Sequence, residues 1–262
     1  MELDEKVISR AIIERYMEKL LDHIESDCVI VGGGPAGLVC GYFLARDGYK
    51  VSLLDKKLSV GGGMWGGAMM FNEIVVQEEG RRILDTFDIR YRNYTDHYYT
   101  ADSIEAITTL VSKAVKAGVT IFNGFEVEDV VLKKHEEAYR VEGVVVNWST
   151  VNMAHLPVDP IVMRARYTVD ATGHDAIVAT TLVRKAGIRI DSPTGGVPGE
   201  KPMWAEVGEQ GTVDCTKEVF PGFVVCGMAA NAVGGAHRMG PIFGGMLNSG
   251  EKAAQLIRAG LR

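Results

Sequence analysis

The chain has 262 residues, 47% hydrophobic and 24% charged, a composition that excludes disorder and leaves room for one large or two small domains. A net charge of −6 argues against a nucleic-acid partner, because neutralising phosphates needs a basic face. No stretch approaches the roughly 20 apolar residues of a membrane span, and the opening Met1-Glu2-Leu3-Asp4-Glu5 lacks the basic-then-apolar order of a secretory leader; a cytoplasmic protein that meets no membrane is expected.

Apolar residues recur every three to four positions from Val7 to Ile24, which predicts an amphipathic helix over 5–25. Residues 27–56 then read as a nucleotide-binding βαβ unit. An apolar run (Cys28-Val29-Ile30-Val31) leads into a glycine turn at Gly32, Gly34 and Gly37, a helix, and a second apolar run ending in Asp55. Gly32 permits the tight turn, Gly34 lets a pyrophosphate approach the backbone, and Gly37 lets the helix pack on its strand. The helix N-terminus supplies free N–H groups to the phosphates, and Asp55 stands about where an acid reaches the adenosine ribose.

The glycine-rich segment 58–72 is interrupted by Trp65, three methionines and Phe71, so a packed loop beside the ligand is expected. Asp102-Ser103-Ile104-Glu105 is a capping-box-like start for a helix over 103–117. Strands are expected at 119–123 and 125–133, a turn at 133–137, and strands at 139–147 and 161–170. A helix follows at 175–186 and a long irregular excursion at 190–216. A strand and tight turn come at 222–228, and a last helix from 239–241 to about 259. The whole is expected to be a single dinucleotide-binding domain over 1–262, with an inserted β/α region at 72–168 and a return to the nucleotide fold at 169–262. Cys28, Cys40 and Cys226 read as core residues in a reducing compartment; Cys215, in a loop, is the one candidate for reactivity.

In this order of elements the chain resembles the two-dinucleotide-binding-domain flavoproteins, including a strand end at Asp170-Ala171-Thr172-Gly173. That resemblance implies an α/β, Rossmann-like fold with a central parallel sheet and a small antiparallel β excursion. Those proteins end a late Pro-Gly-x-x-x-x-Gly-Asp motif in an acid that reaches the flavin's ribityl-phosphate region. This chain has Pro221-Gly222-Phe223-Val224-Val225-Cys226-Gly227-Met228, and a thioether is only a weak acceptor. An ADP-containing ligand other than FAD is therefore expected, with an FAD-dependent oxidoreductase of the same fold as the alternative. A non-catalytic dinucleotide binder would explain the glycines but leave Asp159, His174 and Arg238 without work. On the residues alone, Asp159-Pro160 also reads as a turn, His174 as a cap or core group, and Arg238 as half of a surface salt bridge.

Five further segments narrow the reading: Gly61-Gly62-Gly63-Met64-Trp65-Gly66-Gly67, Asn147-Trp148, Val158-Asp159-Pro160, Thr172-Gly173-His174-Asp175, and Arg238-Met239-Gly240-Pro241-Ile242-Phe243-Gly244-Gly245-Met246. In these, and in their unbroken order along nearly the whole chain, the sequence resembles the thiamine thiazole synthase family. The resemblance implies synthesis of the adenylated thiazole carboxylate precursor of thiamine from NAD, glycine and a sulfur source, with release of nicotinamide and transferase chemistry. It implies that Ala36, Asp55, Lys56 and Gly63 line the ADP part, with Val127, Pro157, Val158 and Met228 as further contacts. Arg238 would grip the glycine carboxylate, a task suited to a guanidinium fork. Asp159 and His174 would bind Fe(II), a carboxylate–imidazole pair that leaves positions open. A homo-oligomer, an octamer or related ring, is implied as well. If residues 161–170 form one strand, it spans about 33 Å at roughly 3.3 Å per residue. Asp159 and His174 then sit near its opposite ends, so the metal site is expected to be completed across a subunit interface.

One position departs from the family. Eukaryotic members carry a cysteine two residues before the metal-binding Asp, give up its sulfur and turn over once; many archaeal members have His there. Here the residue is Pro157, which has neither sulfur nor a titratable group. Free sulfide and repeated turnover are expected, with His155 and His237 as candidates for proton transfer.

Overall fold

The computed structural model describes residues 3–136 and 138–262; Met1 and Glu2 of the opening segment and Glu137 of the expected turn lie outside the described residues. The chain begins with α1 (Glu5–Asp22), β1 (Glu25–Val31), α2 (Pro35–Arg46) and β2 (Val51–Asp55). The apolar runs of β1 and β2 are buried on both faces, as parallel strands under helices require, and they pair in register Cys28↔Val51 to Val31↔Leu54. Alternation sorts them: Cys28 and Ile30 enter the core beneath α2, while Val29 and Val31 enter a second core on the opposite face.

A 3₁₀ turn at Gly62–Gly66 precedes β3 (Glu73–Val76), α3 (Glu78–Thr86), β4 (Arg92–Thr95) and β5 (Tyr98–Asp102). These strands form a separate antiparallel sheet in the order β3-β5-β4. Next come α4 (Ser103–Ala117), β6 (Thr120–Asn123), β7 (Phe125–His135), β8 (Ala138–Trp148), α5 (Ser149–Met153) and β9 (Ile161–Asp170). Helix α4 starts at the expected cap, with Glu105 N–H donating to Asp102 Oδ1 at 2.7 Å, while the Glu105 carboxylate accepts from Arg90 N–H at 2.9 Å in place of the reciprocal bond of a full capping box. The chain closes with α6 (Ile177–Ala186), α7 (Ala205–Asp214), β10 (Lys217–Phe220), β11 (Phe223–Val225), α8 (Met228–Gly234) and α9 (Gly244–Leu261).

The main sheet runs β10-β11-β9-β1-β2-β6. From β11 to β6 its strands are parallel, and β10 closes the edge antiparallel. Strand β9 serves two neighbours on one side: its first half pairs with β8 of the β7–β8 hairpin, its last residues with β11. The fold is thus the expected Rossmann-like one, with a central parallel sheet and small antiparallel additions.

Several expectations are corrected. The excursion 190–216 contains α7, and the last helix starts at Gly244 rather than near 239–241. The first helix stops at Asp22, because the chain must extend into β1 by Glu25. Little of its apolar surface is spent on this chain's core: Tyr16 and Leu20 pack against it, but no residue of α1 is buried, and Val7, Ile8, Ile12, Ile13, Met17 and Leu21 are exposed. The helix is held instead through Tyr16, which stacks on Trp148 at 6.2 Å, and through buried His23, whose Nδ1 lies 2.8 Å from Ser52 Oγ. In segment 58–72 the first half packs as expected around fully buried Met64, but Met69, Met70 and Phe71 are exposed. Cys215 lies half-buried at the end of α7 rather than in a loop, and burial pushes its thiol up.

Candidate active site

Parallel strands end together, and their carboxyl ends bound a crevice where α/β sheets place ligands. Here the residues just past β1 (Gly32, Gly33, Gly34), β2 (Lys56, Lys57), β6 (Phe125 to Val127), β9 (Ala171 to Asp175) and β11 (Gly227, Met228) line one cleft of about 610 Å³. Its further wall is Arg238, Met239, Gly240, Phe243 and Met246.

The glycine turn behaves as its spacing predicts. Gly32 has φ +104, and a β-carbon there would sit 2.3 Å from Ala171 O. A β-carbon on Gly37 would lie 2.2 Å from Gly32 O, so Gly37 serves close packing and does not itself face the cleft. Nothing lies within 4 Å of the β-carbon position at Gly34, which is room for a phosphate at the start of α2. Asp55 is only 8% exposed. Its Oδ2 accepts from Gly33 N–H at 2.9 Å and its Oδ1 from Lys57 N–H at 2.8 Å. Of the roughly four acceptor sites of a carboxylate, two remain for ribose hydroxyls.

The Asp170–Gly173 strand end is fastened from below. Buried Asp170 accepts from Thr172 N–H, Thr172 Oγ1 and Ala179 N–H at 2.7–2.9 Å, while burial pushes its carboxyl up. Thr172 Oγ1 in turn accepts from Ile177 N–H at 2.8 Å. This sets His174 at the cleft. Its Nδ1 is 2.6 Å from Glu200 Oε2, and the Glu200 side chain is only 13% exposed. Glu200 lies 26 residues downstream of His174 in an irregular Gly/Pro stretch, and sequence reasoning missed it because no spacing rule links the two. Ser249 was missed for the same reason: its Oγ accepts from Gly227 N–H at 2.7 Å and fixes the turn before Met228.

Arg238 lines the same cleft, and among the described residues its side chain makes no hydrogen bond or ion pair. The salt-bridge reading of Arg238 thus has no partner here, and the guanidinium is available to an anion. Met228 opens α8 at the cleft, so a thioether stands where a flavin-holding carboxylate would be needed. No cysteine lines the cleft among the described residues, and Cys28, Cys40 and Cys226 are buried with thiols pushed up by burial.

The structure therefore brings together Gly32, Gly34, Ala36, Asp55, Lys56, Gly63, Val127, Met228, His174 and Arg238. It does not bring Pro157, Val158 and Asp159 to them. Those three are exposed and lie before β9, whereas His174 lies after it. Asn147 Nδ2 pins that outlying segment by donating to Val158 O at 2.9 Å. His155 shares its location, and His237 is turned away to Pro202 O at 2.7 Å. Among the described residues of one copy, no three His, Cys, Asp or Glu side chains gather as a metal site.

Comparison with known proteins bears on the family and the fold. Residues 9–243 match the Thi4 family. The chain is 54% identical over 257 residues to a thiamine thiazole synthase of Methanothermobacter thermautotrophicus, covering 98% of each chain. It is 56% identical over 255 residues to one of Pyrococcus furiosus, covering 97% of each. The crystal structure of Thermovibrio ammonificans THI4 superposes with a TM-score of 0.98 at 62% identity, covering 99% of both chains.

Proposed function

The chain belongs to the Thi4 family, the thiamine thiazole synthases, and on that footing we propose that it builds the adenylated thiazole carboxylate from NAD, glycine and free sulfide, with Fe(II), over repeated turnovers. The observation that carries the reading is the unengaged Arg238 guanidinium in one cleft with His174 and the glycine cradle.

The cradle residues hold NAD at the start of α2, with Asp55 on the ribose and Lys56, Gly63, Val127 and Met228 along the ADP part. Arg238 grips the glycine carboxylate through two parallel charge-assisted bonds and so presents the amine to the ribose carbons left when nicotinamide departs. Orientation of this kind converts an encounter between two substrates into an effectively unimolecular step.

The residues present fit Fe(II). His174 keeps one ring nitrogen on Glu200, and among the described residues Glu200 Oε1 is buried without a partner beside it, so polar capacity at this point is unspent. A carboxylate–imidazole set suits the ion, with Asp159 and His174 as its ligands. When bound, Fe(II) supplies Lewis acidity and open positions through which sulfide is delivered. The sulfur has no source within the chain at this place: position 157 is proline, and no cysteine lines the cleft among the described residues.

His174 and Asp159 flank the ten-residue β9, about 33 Å at roughly 3.3 Å per residue, so one ion cannot hold both within a copy. A second copy supplies the other ligand, and the enzyme works as a homo-oligomer. Exposed Leu156, Val158, Ile161 and Val162 surround Asp159, and with the exposed face of α1 they offer apolar surface for such a contact.

The test is an anaerobic incubation with Fe(II), NAD, glycine and sulfide, read by mass spectrometry. Adenylated thiazole carboxylate in excess of enzyme, with the protein mass unchanged, is expected. Product no greater than one per chain, with a sulfur missing from the protein, would overturn the sulfide route. Failure of folded, metal-loaded protein to consume NAD would overturn the whole reading.

A further inference from the structure

We propose that Glu200 is a positioning residue: it fixes the tautomer and orientation of the His174 imidazole and couples it to the loop that carries Arg238. The proposal rests on the reading of His174 as a metal ligand.

A carboxylate only accepts, so at 2.6 Å the His174 Nδ1 carries the proton and donates to Glu200 Oε2. The other ring nitrogen, Nε2, is left with its lone pair for coordination. An ordinary surface ion pair would leave both partners wet. Here the histidine is half exposed, while the Glu200 side chain is 13% exposed and its Oε1 is buried without a partner among the described residues. A carboxylate is withdrawn from water behind a half-exposed imidazole, the arrangement by which ligating histidines are held.

Backbone bonds hold the segment that carries the carboxylate. On either side of Glu200, Gly199 N–H donates to Ala232 O at 3.0 Å and Lys201 N–H to Ala236 O at 2.9 Å. Lys201 O accepts from Arg238 N–H at 3.1 Å, and Trp204 N–H donates to Arg238 O at 3.0 Å. His237 Nδ1 adds a bond to Pro202 O at 2.7 Å. Residues 199–204 and 236–238 thus form one short clamp. The segment that carries the acid behind the metal ligand and the segment that carries the guanidinium for the glycine carboxylate share one frame, and these bonds set the spacing of their backbones.

The experiment is anaerobic titration of metal-free protein with Co(II), followed by visible absorption, with NAD affinity measured by calorimetry on the same samples. His174→Ala should abolish the Co(II) spectrum. Glu200→Leu should weaken Co(II) binding about 10- to 100-fold with NAD affinity kept. Glu200→Gln, whose amide oxygen still accepts from Nδ1–H, should recover most of it. Glu200→Asp, one methylene too short, should not, and it serves if the leucine variant fails to fold. Wild-type Co(II) affinity in Glu200→Leu or Glu200→Asp, with His174→Ala inactive in binding, would overturn the proposal. Equal loss of NAD affinity in both would reassign Glu200 to general structure and also overturn it. Wild-type Co(II) binding by His174→Ala would instead remove the ligand reading on which the proposal stands.

Discussion

Gly34 and Gly37 stand three residues apart and forbid a side chain for different reasons. A β-carbon at Gly37 would press on Gly32 O, whereas one at Gly34 would meet nothing within 4 Å. Gly34 also sits at φ −73, which alanine adopts freely. Gly34→Ala should therefore fold with an unchanged melting temperature yet bind NAD at least about tenfold more weakly, since the methyl occupies phosphate space. Calorimetric NAD titration beside a thermal melt checks this; full NAD affinity would place the pyrophosphate elsewhere. Arg238 tests the other substrate. Arg238→Lys keeps the charge but loses the fork, and a lost charge-assisted bond of about 1.5–3 kcal/mol corresponds to a rise of roughly 10- to 100-fold in KM for glycine. Steady-state kinetics should show that rise with KM for NAD unchanged; a glycine KM that stays put would take the carboxylate away from Arg238. Most residues of the cleft were legible in the sequence because the nucleotide turn and the Arg238–Met246 segment are contiguous. Glu200 was not, because only tertiary folding brings it to His174.

Among elements, helix α7 escaped sequence reasoning and the start of α9 was set too early, and the two share a cause. Helix α7 carries Gly208 and α9 opens on Gly244-Gly245, residues that count against a helix on propensity. Tertiary contact demands them: a β-carbon on Gly208 would lie 2.6 Å from His237 O, and one on Gly245 2.6 Å from Glu209 O. The individual strands of the small β3-β5-β4 sheet were not placed within the expected β/α insertion, because they are only four or five residues long and β4 is exposed throughout, so the alternation of buried Ile74 and Val76 in β3 is too short to read. By contrast β1, β2 and α4 were legible, because buried apolar runs and a helix cap are local signals. The α7–α9 contact also carries a titratable group. Glu209 Oε1 accepts from Gly245 N–H at 2.6 Å at the start of α9, its Oε2 is buried without a partner among the described residues, and Glu79 faces it. Burial raises its carboxyl from 4.5 to about 7. A raised acid is ionised more readily in the unfolded chain, so its contribution to stability is intact below about pH 4.5 and is lost as pH rises to about 7. The loss is at most about 3 kcal/mol. Denaturation curves at pH 5 and pH 8 should show Glu209→Gln gaining on the wild type at the higher pH; equal pH slopes in the two proteins would contradict this.

At the scale of the whole molecule, the length of β9 governs how the parts can work together. The strand was readable as one continuous run, and its ten residues separate Asp159 from the cleft that holds His174. Which surface meets a second copy was not readable, because an apolar stripe such as that of α1 reads alike whether it serves its own core or a partner. The structure leaves most apolar residues of α1 exposed, and apolar residues on both sides of Asp159 are exposed as well. Both observations support a centre assembled from two copies, and that assembly is the claim on which the account turns. Mixing subunits tests it. Asp159→Ala and His174→Ala should each be inactive alone, and co-refolded oligomers containing both should regain activity, because one interface type then pairs an intact His174 with an intact Asp159. Verified mixed oligomers with no recovery would contradict the shared centre and place both ligands, or neither, within a single copy.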